Sequence, residues 1–205
     1  MFLSFEGIDG SGKTTQAARL VERLRAAGRR VVTVREPGGT PLGEQIRALL
    51  LDPAGDVSAR AELLLFSAAR AQLTERVIAP ALADGAIVVA DRFYDSTTAY
   101  QGHGRGVLGP DAADAFHALV TGGLAPDLTI IVDVEVQTAR QRRSGSANDR
   151  IEAADAAFHA RVRAGYHAIA ARHPERVSLV DGDGPTDAVS AVIDALVSAR
   201  LRAAA

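Results

Sequence analysis

Apolar and polar positions alternate along the chain in two rhythms. Short, nearly continuous apolar runs stand at FLSFE (2–6), RVVTVRE (30–36), AIVVADR (86–92), DLTIIVDV (127–134) and RVSLVD (176–181). Runs of this kind predict parallel strands covered on both faces. Between them, helical spacing predicts helices over about 12–27, 41–51, 58–84, 110–122, 135–143, 151–172 and 185–203. Gly28, Gly55, Gly85 and Gly184 fall at the ends of these segments, where chain breakers belong. Strand–helix alternation predicts a three-layer, doubly wound α/β fold on a five-stranded parallel sheet. Ligands should gather at the carboxyl ends of its strands.

A chain of 205 residues with no internal repeat is expected to form one domain over 1–205. The small, polar, arginine-flanked stretch QRRSGSANDR (141–150) is the candidate for a short lid. A formal net charge of −2 argues against a broad cationic surface, so no nucleic-acid partner is expected. With no cysteine there is no disulfide framework and no thiolate metal site. The opening residues do not read as a signal peptide, and no apolar run is long enough to span a bilayer. A cytoplasmic protein without a membrane partner is the expectation.

Lys13 is the only lysine; every other basic side chain among the 23 is arginine. It sits in Gly7-Ile8-Asp9-Gly10-Ser11-Gly12-Lys13-Thr14, which fits G-x-x-x-x-G-K-[ST] between a predicted strand and a predicted helix, with Thr15 following. The glycines let backbone N–H groups turn inward around phosphate oxygens, and the helix N-terminus adds a favourable dipole. Lys13 supplies a compact charge able to reach between β- and γ-phosphates, and Thr14 offers a hydroxyl to Mg²⁺. ATP binding over residues 7–15 follows. Asp91 ends the apolar run IVVAD, where an ion is costly unless paired or near a metal, which suits a Mg²⁺-organising aspartate. Asp133, ending TIIVD, competes for that role.

A guanine-specific switch would carry Asn-Lys-x-Asp, which this chain cannot contain, since its one lysine is already used. Five blocks instead carry a specific likeness: FEGIDGSGKTTQ, REPGGTPLGEQIR, LLFSAAR, DRFYDSTTAYQGHGRG and DRIE, in that order from residue 5 to residue 152. On these the chain resembles the thymidylate kinases, of the bacterial branch with a basic lid. The resemblance implies a P-loop kinase fold and transfer of the γ-phosphoryl group of ATP to dTMP, giving dTDP for dTTP synthesis, with Mg²⁺. It puts Arg92 on the dTMP phosphate with Arg47 assisting, and Asp9 near the acceptor 3′-hydroxyl and the metal. It implies that Phe66 stacks on thymine and Arg70 reaches a base carbonyl. By the same resemblance Thr97 and Gln101 are expected to hydrogen-bond the pyrimidine, Tyr100 to pack by the sugar, and Glu36 to line the same cleft. The Glu36–Pro37 bond is a candidate cis peptide.

The family commonly has Tyr or His where Phe93 stands, and serines where Thr97 and Thr98 stand. One branch carries an arginine directly after the P-loop aspartate, where this chain has Gly10. The charge for phosphoryl transfer is then expected from Arg142, Arg143 or Arg150 on the lid, with Arg140 near adenine. A deoxynucleoside kinase would want a base for a neutral hydroxyl rather than several phosphate-holding arginines. A binding switch predicts no transfer at all. The helical segment 58–84 carries an apolar face through which, by the same resemblance, the chain is expected to form homodimers.

Overall fold

Apolar side chains on opposite sides of the same short strands enter different cores. Leu3 and Phe5 of β1 (Phe2–Glu6) join one, and Phe2 joins another across the sheet. This explains why the three central runs, 2–6, 86–92 and 127–134, lack polar alternation: neither of their faces meets water. The chain, seen here as a computed structural model, is described over residues 1–143 and 149–203. The remaining strands are β2 (Val31–Arg35), β3 (Ile87–Asp91), β4 (Leu128–Asp133) and β5 (Val177–Asp181). All five are parallel in the order β2-β3-β1-β4-β5, each within a residue of its sequence expectation. Phe5 pairs with Asp91 and with Ile130, so the carboxyl ends of β1, β3 and β4 share one edge.

The helices are α1 (Lys13–Ala26), α2 (Pro41–Leu51), α3 (Ala59–Leu73), α4 (Ala79–Ala83), α5 (Tyr94–Thr97), α6 (Pro110–Thr121), α7 (Val136–Arg142), α8 (Ala156–Arg172) and α9 (Thr186–Ala203). Leu20 and Leu24 of α1 and Ile193 and Val197 of α9 pack on one face of the sheet. Leu73 and Ile78 on one side, and Val162, Tyr166 and Ile169 of α8 on the other, cover the opposite face. Three layers result, as expected.

Local chemistry sets the element ends. Thr40 caps α2 by accepting from the Gly43 N–H at 3.0 Å, and Pro41 opens its first turn. The expected helix 58–84 is α3 and α4 joined through a π-helical turn, Thr74–Ile78. Pro80 lacks the N–H that would bond one turn back, and the ladder widens just before it. The helix expected from residue 151 begins only at Ala156. The Asp149 carboxylate accepts from the N–H groups of Ile151 and Glu152 and folds that stretch into a turn, and Asp155 then caps α8. A second π-helical turn, Thr98–Gly104, continues α5. Neither it nor α5 is legible in the apolar pattern. Its Ala99, Tyr100 and Gly104 pack against α8, and Gln101 and Gly102 are buried as well, with no polar stripe to mark a period.

Candidate active site

The P-loop leaves β1 and wraps toward the start of α1; Gly12 is required by its φ of 94° alone, Gly7 and Gly10 by contact as well as by conformation. Gly7 has φ 134°, and a Cβ there would lie 2.5 Å from the Val132 carbonyl oxygen. Gly10 has φ 90°, and its Cβ would lie 2.3 Å from the Ala139 carbonyl of α7. An arginine at position 10 would drive α7 away, so the family's P-loop arginine and this packing of α7 are incompatible. Lys13 opens α1 and is buried, with its Nζ 3.1 Å from Asp9 Oδ1.

Arg92 follows β3 with φ 74°, the left-handed conformation that non-glycine residues rarely adopt. The turn throws its side chain back over the sheet edge. There it donates to Asp9 Oδ1 at 2.6 Å, Tyr100 Oη at 3.2 Å, Ser96 Oγ at 3.0 Å and Tyr166 Oη at 3.1 Å. Burial alone would raise the Asp9 carboxyl, but the Arg92 and Lys13 cations overcome it and hold the group well below the carboxylate range. Asp9 thus bridges two cations, each within hydrogen-bonding reach.

Beneath this bridge lies Glu6, fully buried, a residue that sequence reasoning missed. It accepts from the Phe93 N–H, from Ser96 Oγ, from Ser4 Oγ and from Tyr166 Oη. Burial and the nearby Asp95 raise its carboxyl. Its sequence signal was an acid inside an apolar run, beside a glycine motif that drew the attention. Asp95 in turn holds Arg176 through two bonds and accepts from Thr129, tying the segment after β3 to β4 and β5.

One cleft gathers most of the expected acceptor residues. Its walls include Asp9, Lys13, Thr14, Glu36, Arg47, Phe66, Asp91, Arg92, Thr97, Tyr100 and Gln101. Arg35, Ser96, Asp149 and Glu152 also line it and were not singled out in the sequence. Arg47 donates to the Pro37 carbonyl at 3.0 Å, across the Glu36–Pro37 bond, which is cis. Arg70 does not line the cleft. It is buried behind the wall, donating to Glu36 Oε2 at 2.7 Å, Thr97 Oγ1 at 2.8 Å and the Phe93 carbonyl at 3.1 Å. At Phe93 it is the backbone carbonyl that serves as the polar partner, while the ring is wholly buried. Glu36 Oε1 has no partner, and burial pushes the Glu36 carboxyl up to about 7 despite Arg70.

Thr14 Oγ1 donates to Asp91 Oδ2 at 2.6 Å. A hydroxyl and a carboxylate side by side at the P-loop are hard oxygen donors that fit Mg²⁺, an ion held by one or two carboxylates plus substrate phosphates. Asp133 is elsewhere engaged, by Arg163 at 2.8 and 2.9 Å and by His167 at 2.9 Å. No cluster of three or more His, Cys, Asp or Glu fit for a metal occurs among the described residues.

The arginines around the expected lid divide. Arg142 lies against the outer side of the P-loop, donating to the Gly182 carbonyl at 3.0 Å, and lines a second cleft with Gly10, Ser11, Gly12 and Thr15. Arg140, expected near adenine, lines a groove between α7 and α8. Two positions apart on a helix is about 200° of rotation, which sets the two on opposite sides of α7. Arg143 pairs with Glu152 at 2.7 Å, and Arg150 with Glu62 at 2.7 Å. Residues 144–148 of the lid lie outside the described residues.

A glycine cradle with its lysine, a Thr–Asp oxygen pair and the cleft walled by Arg35, Arg47 and Arg92 at the sheet's carboxyl edge define a P-loop kinase of small phosphorylated acceptors. Comparison narrows the class. The sequence profile described as thymidylate kinase matches residues 5–193. The thymidylate kinase of Deinococcus radiodurans is 47% identical over 201 residues, covering 98% of this chain and 97% of that one. That of Chlorobaculum parvum is 47% identical over 191 residues, 88% of each chain. The crystal structure of thymidylate kinase from Ehrlichia chaffeensis superposes with a TM-score of 0.80 at 36% identity, covering 96% of this chain and 98% of that one. The chain belongs to the thymidylate kinase family and is an enzyme of its reaction, ATP-dependent phosphorylation of dTMP to dTDP.

The Glu36 environment carries a pH signature. Its folded pKa near 7 lies above the ordinary value of 4.5, so burial favours its protonated form. That contribution is present at low pH and is lost as pH rises through 7. Relative to Glu36→Gln, the wild-type protein should lose about 1 kcal/mol of stability between pH 6 and 8. Urea unfolding of both proteins at the two pH values checks this; a constant difference would contradict it.

Proposed function

We propose that the two clefts divide the substrates, with ATP along the P-loop and the Arg142 side, and dTMP between Asp9, Phe66 and Arg92. The observation that carries this reading is the Asp9 bridge, which brings the P-loop lysine and the acceptor-side arginine to one carboxylate. In this reading P-loop amides and Lys13 hold the donor phosphates, and Arg92, with Arg47, holds the acceptor phosphate in line with the γ-phosphorus. The acceptor oxygen attacks directly, the γ-phosphoryl group passes to it, and ADP leaves. No protein nucleophile is needed, and catalysis comes from positioning and fixed charge.

Thr14 and Asp91 would hold Mg²⁺, which when bound neutralises charge on the donor phosphates. Arg142 is proposed as the donor-side arginine. Arg143 and Arg150 would have to leave Glu152 and Glu62 to reach a phosphate. Phe66 stacks on the base and Tyr100 packs by the sugar. Arg70 acts on the base through Thr97 and Glu36. Residues 1–205 act as one kinase domain with its lid over 141–150, in the cytoplasm. No helix of the described residues is long and apolar enough to cross a membrane.

A homodimer is supported by exposed leucines on three helices: Leu49 of α2, Leu64 of α3 and Leu119 of α6, 60, 61 and 81% exposed. Apolar side chains this open on packed neighbouring helices suit a second copy of the chain. Sedimentation at micromolar concentration should give the dimer mass, and a pure monomer would overturn the assignment.

The division of substrates is tested by ADP release with ATP and Mg²⁺ against dTMP, AMP and thymidine. Strong turnover with dTMP alone is expected. Arg92→Ala should lower kcat/KM for dTMP by about a hundredfold or more while ATP affinity stays within about threefold. Loss of ATP affinity on that substitution, or equal turnover of thymidine, would contradict the assignment.

A further inference from the structure

Behind the base-side wall lies a carboxylate that the scheme above leaves unused. Glu62, in the first turn of α3, is fully buried and does not line the cleft. Its Oε1 accepts from Gln101 Nε2 at 2.8 Å and Arg105 Nε at 3.3 Å. Its Oε2 accepts from Arg105 Nη2 at 3.2 Å and Arg150 Nη2 at 2.7 Å. Burial alone would raise the Glu62 carboxyl, but the hydrogen bonds from Gln101 and Arg105, with the charge of Arg105, hold it below the ordinary value.

An ionised carboxylate accepts hydrogen bonds and cannot donate them. The two ends of the Gln101 amide are nearly alike in shape, so only a partner of fixed polarity distinguishes them. Glu62 is such a partner: it takes the NH₂ end and leaves the amide oxygen to the cleft that Gln101 lines. The inverse arrangement stands at Thr97. Arg70 can only donate, Thr97 Oγ1 accepts from it, and the hydroxyl proton of Thr97 is left for the cleft. A donor and an acceptor therefore face the cavity together, each fixed by a buried charge behind it.

We infer that Glu62 is a positioning residue for base selection, orienting Gln101 so that the wall accepts an N–H from the acceptor base. The inference rests on the reading that this cleft holds the base of dTMP. A pyrimidine with a ring N3–H beside a carbonyl oxygen matches the acceptor–donor pair. Cytosine, with a bare N3 beside an amino group, opposes it at both positions. Thymine and uracil are both accepted by this device; the thymine methyl group is read by other contacts.

The test compares kcat/KM for dTMP and dCMP in wild-type protein, Glu62→Gln, Glu62→Asp and Gln101→Leu, with N3-methylated dTMP as a further substrate. Wild-type protein should disfavour dCMP and N3-methylated dTMP by about a hundredfold or more. Glu62→Gln, whose amide can present either end, should lower the dTMP-to-dCMP ratio by about tenfold or more and shrink the penalty for N3 methylation. Glu62→Asp keeps a carboxylate and should keep the ratio within about threefold. A purely structural Glu62 would lower both substrates together and leave the ratio unmoved. That result in folded Glu62→Gln overturns the inference, as does wild-type use of dCMP within about tenfold of dTMP. Should Glu62→Gln not fold, loss of the ratio in Glu62→Asp overturns it and retention supports it. Gln101→Leu separates the two readings. If it leaves dTMP turnover and the ratio intact, the base-site reading itself fails. If it collapses the ratio while Glu62→Gln does not, only the role of Glu62 fails.

Discussion

Everything around the candidate site depends on one carboxylate shared by two cations. Asp9 lies 3.1 Å from the Lys13 ammonium and 2.6 Å from the Arg92 guanidinium. Two like charges about 4 Å apart in a protein cleft repel by about 4 kcal/mol at an effective dielectric near 20. The shared anion offsets that repulsion before any polyanion arrives. It also sets direction, since Lys13 comes from the start of α1 and Arg92 from the end of β3. Asp9 keeps both heads at the same edge of the sheet, where the proposed division of substrates has donor and acceptor phosphates meet.

The same construction recurs one layer deeper. Glu6 braces Arg92 through Ser96 and Tyr166, Glu36 braces Arg70, and Glu62 braces Gln101 between Arg105 and Arg150. Buried ion pairs of this kind add little net stability, because desolvation offsets much of their attraction. What they contribute is direction: a hydroxyl or amide in the wall can point only one way when its neighbour is a fixed charge. A cleft built so exchanges little of its own hydrogen bonding as substrate enters, which is the condition for electrostatic preorganisation.

Much of this was legible in the sequence, for identifiable reasons. Strands buried on both faces announce themselves as apolar runs, and the P-loop announces itself because its glycines are demanded by φ, and two of them also by contact. The π-helical turn at 98–104 was not legible, because burial against α8 leaves it no polar face. Arg140 and Arg142 could not be told apart by composition; only helical phase puts one on the P-loop and the other in a surface groove. Arg70 was placed at a base carbonyl by resemblance alone; its ion pair with Glu36 and its bond to Thr97 join residues far apart in the chain, and only the fold brings them together. Glu62 was invisible for a different reason: an acid in the first turn of a helix is already accounted for by the helix dipole. Its three partners come from residues 101, 105 and 150, a convergence that only the fold brings about.

The measurement that bears most directly on this account is steady-state turnover of ATP and dTMP by Asp9→Asn. This substitution keeps the size of the side chain and removes only the shared charge. If the bridge organises both phosphate-binding cations, kcat/KM for dTMP should fall by about a hundredfold or more while the protein stays folded. Turnover within about threefold of wild type would show that Lys13 and Arg92 hold their positions without it, and the central claim would fall.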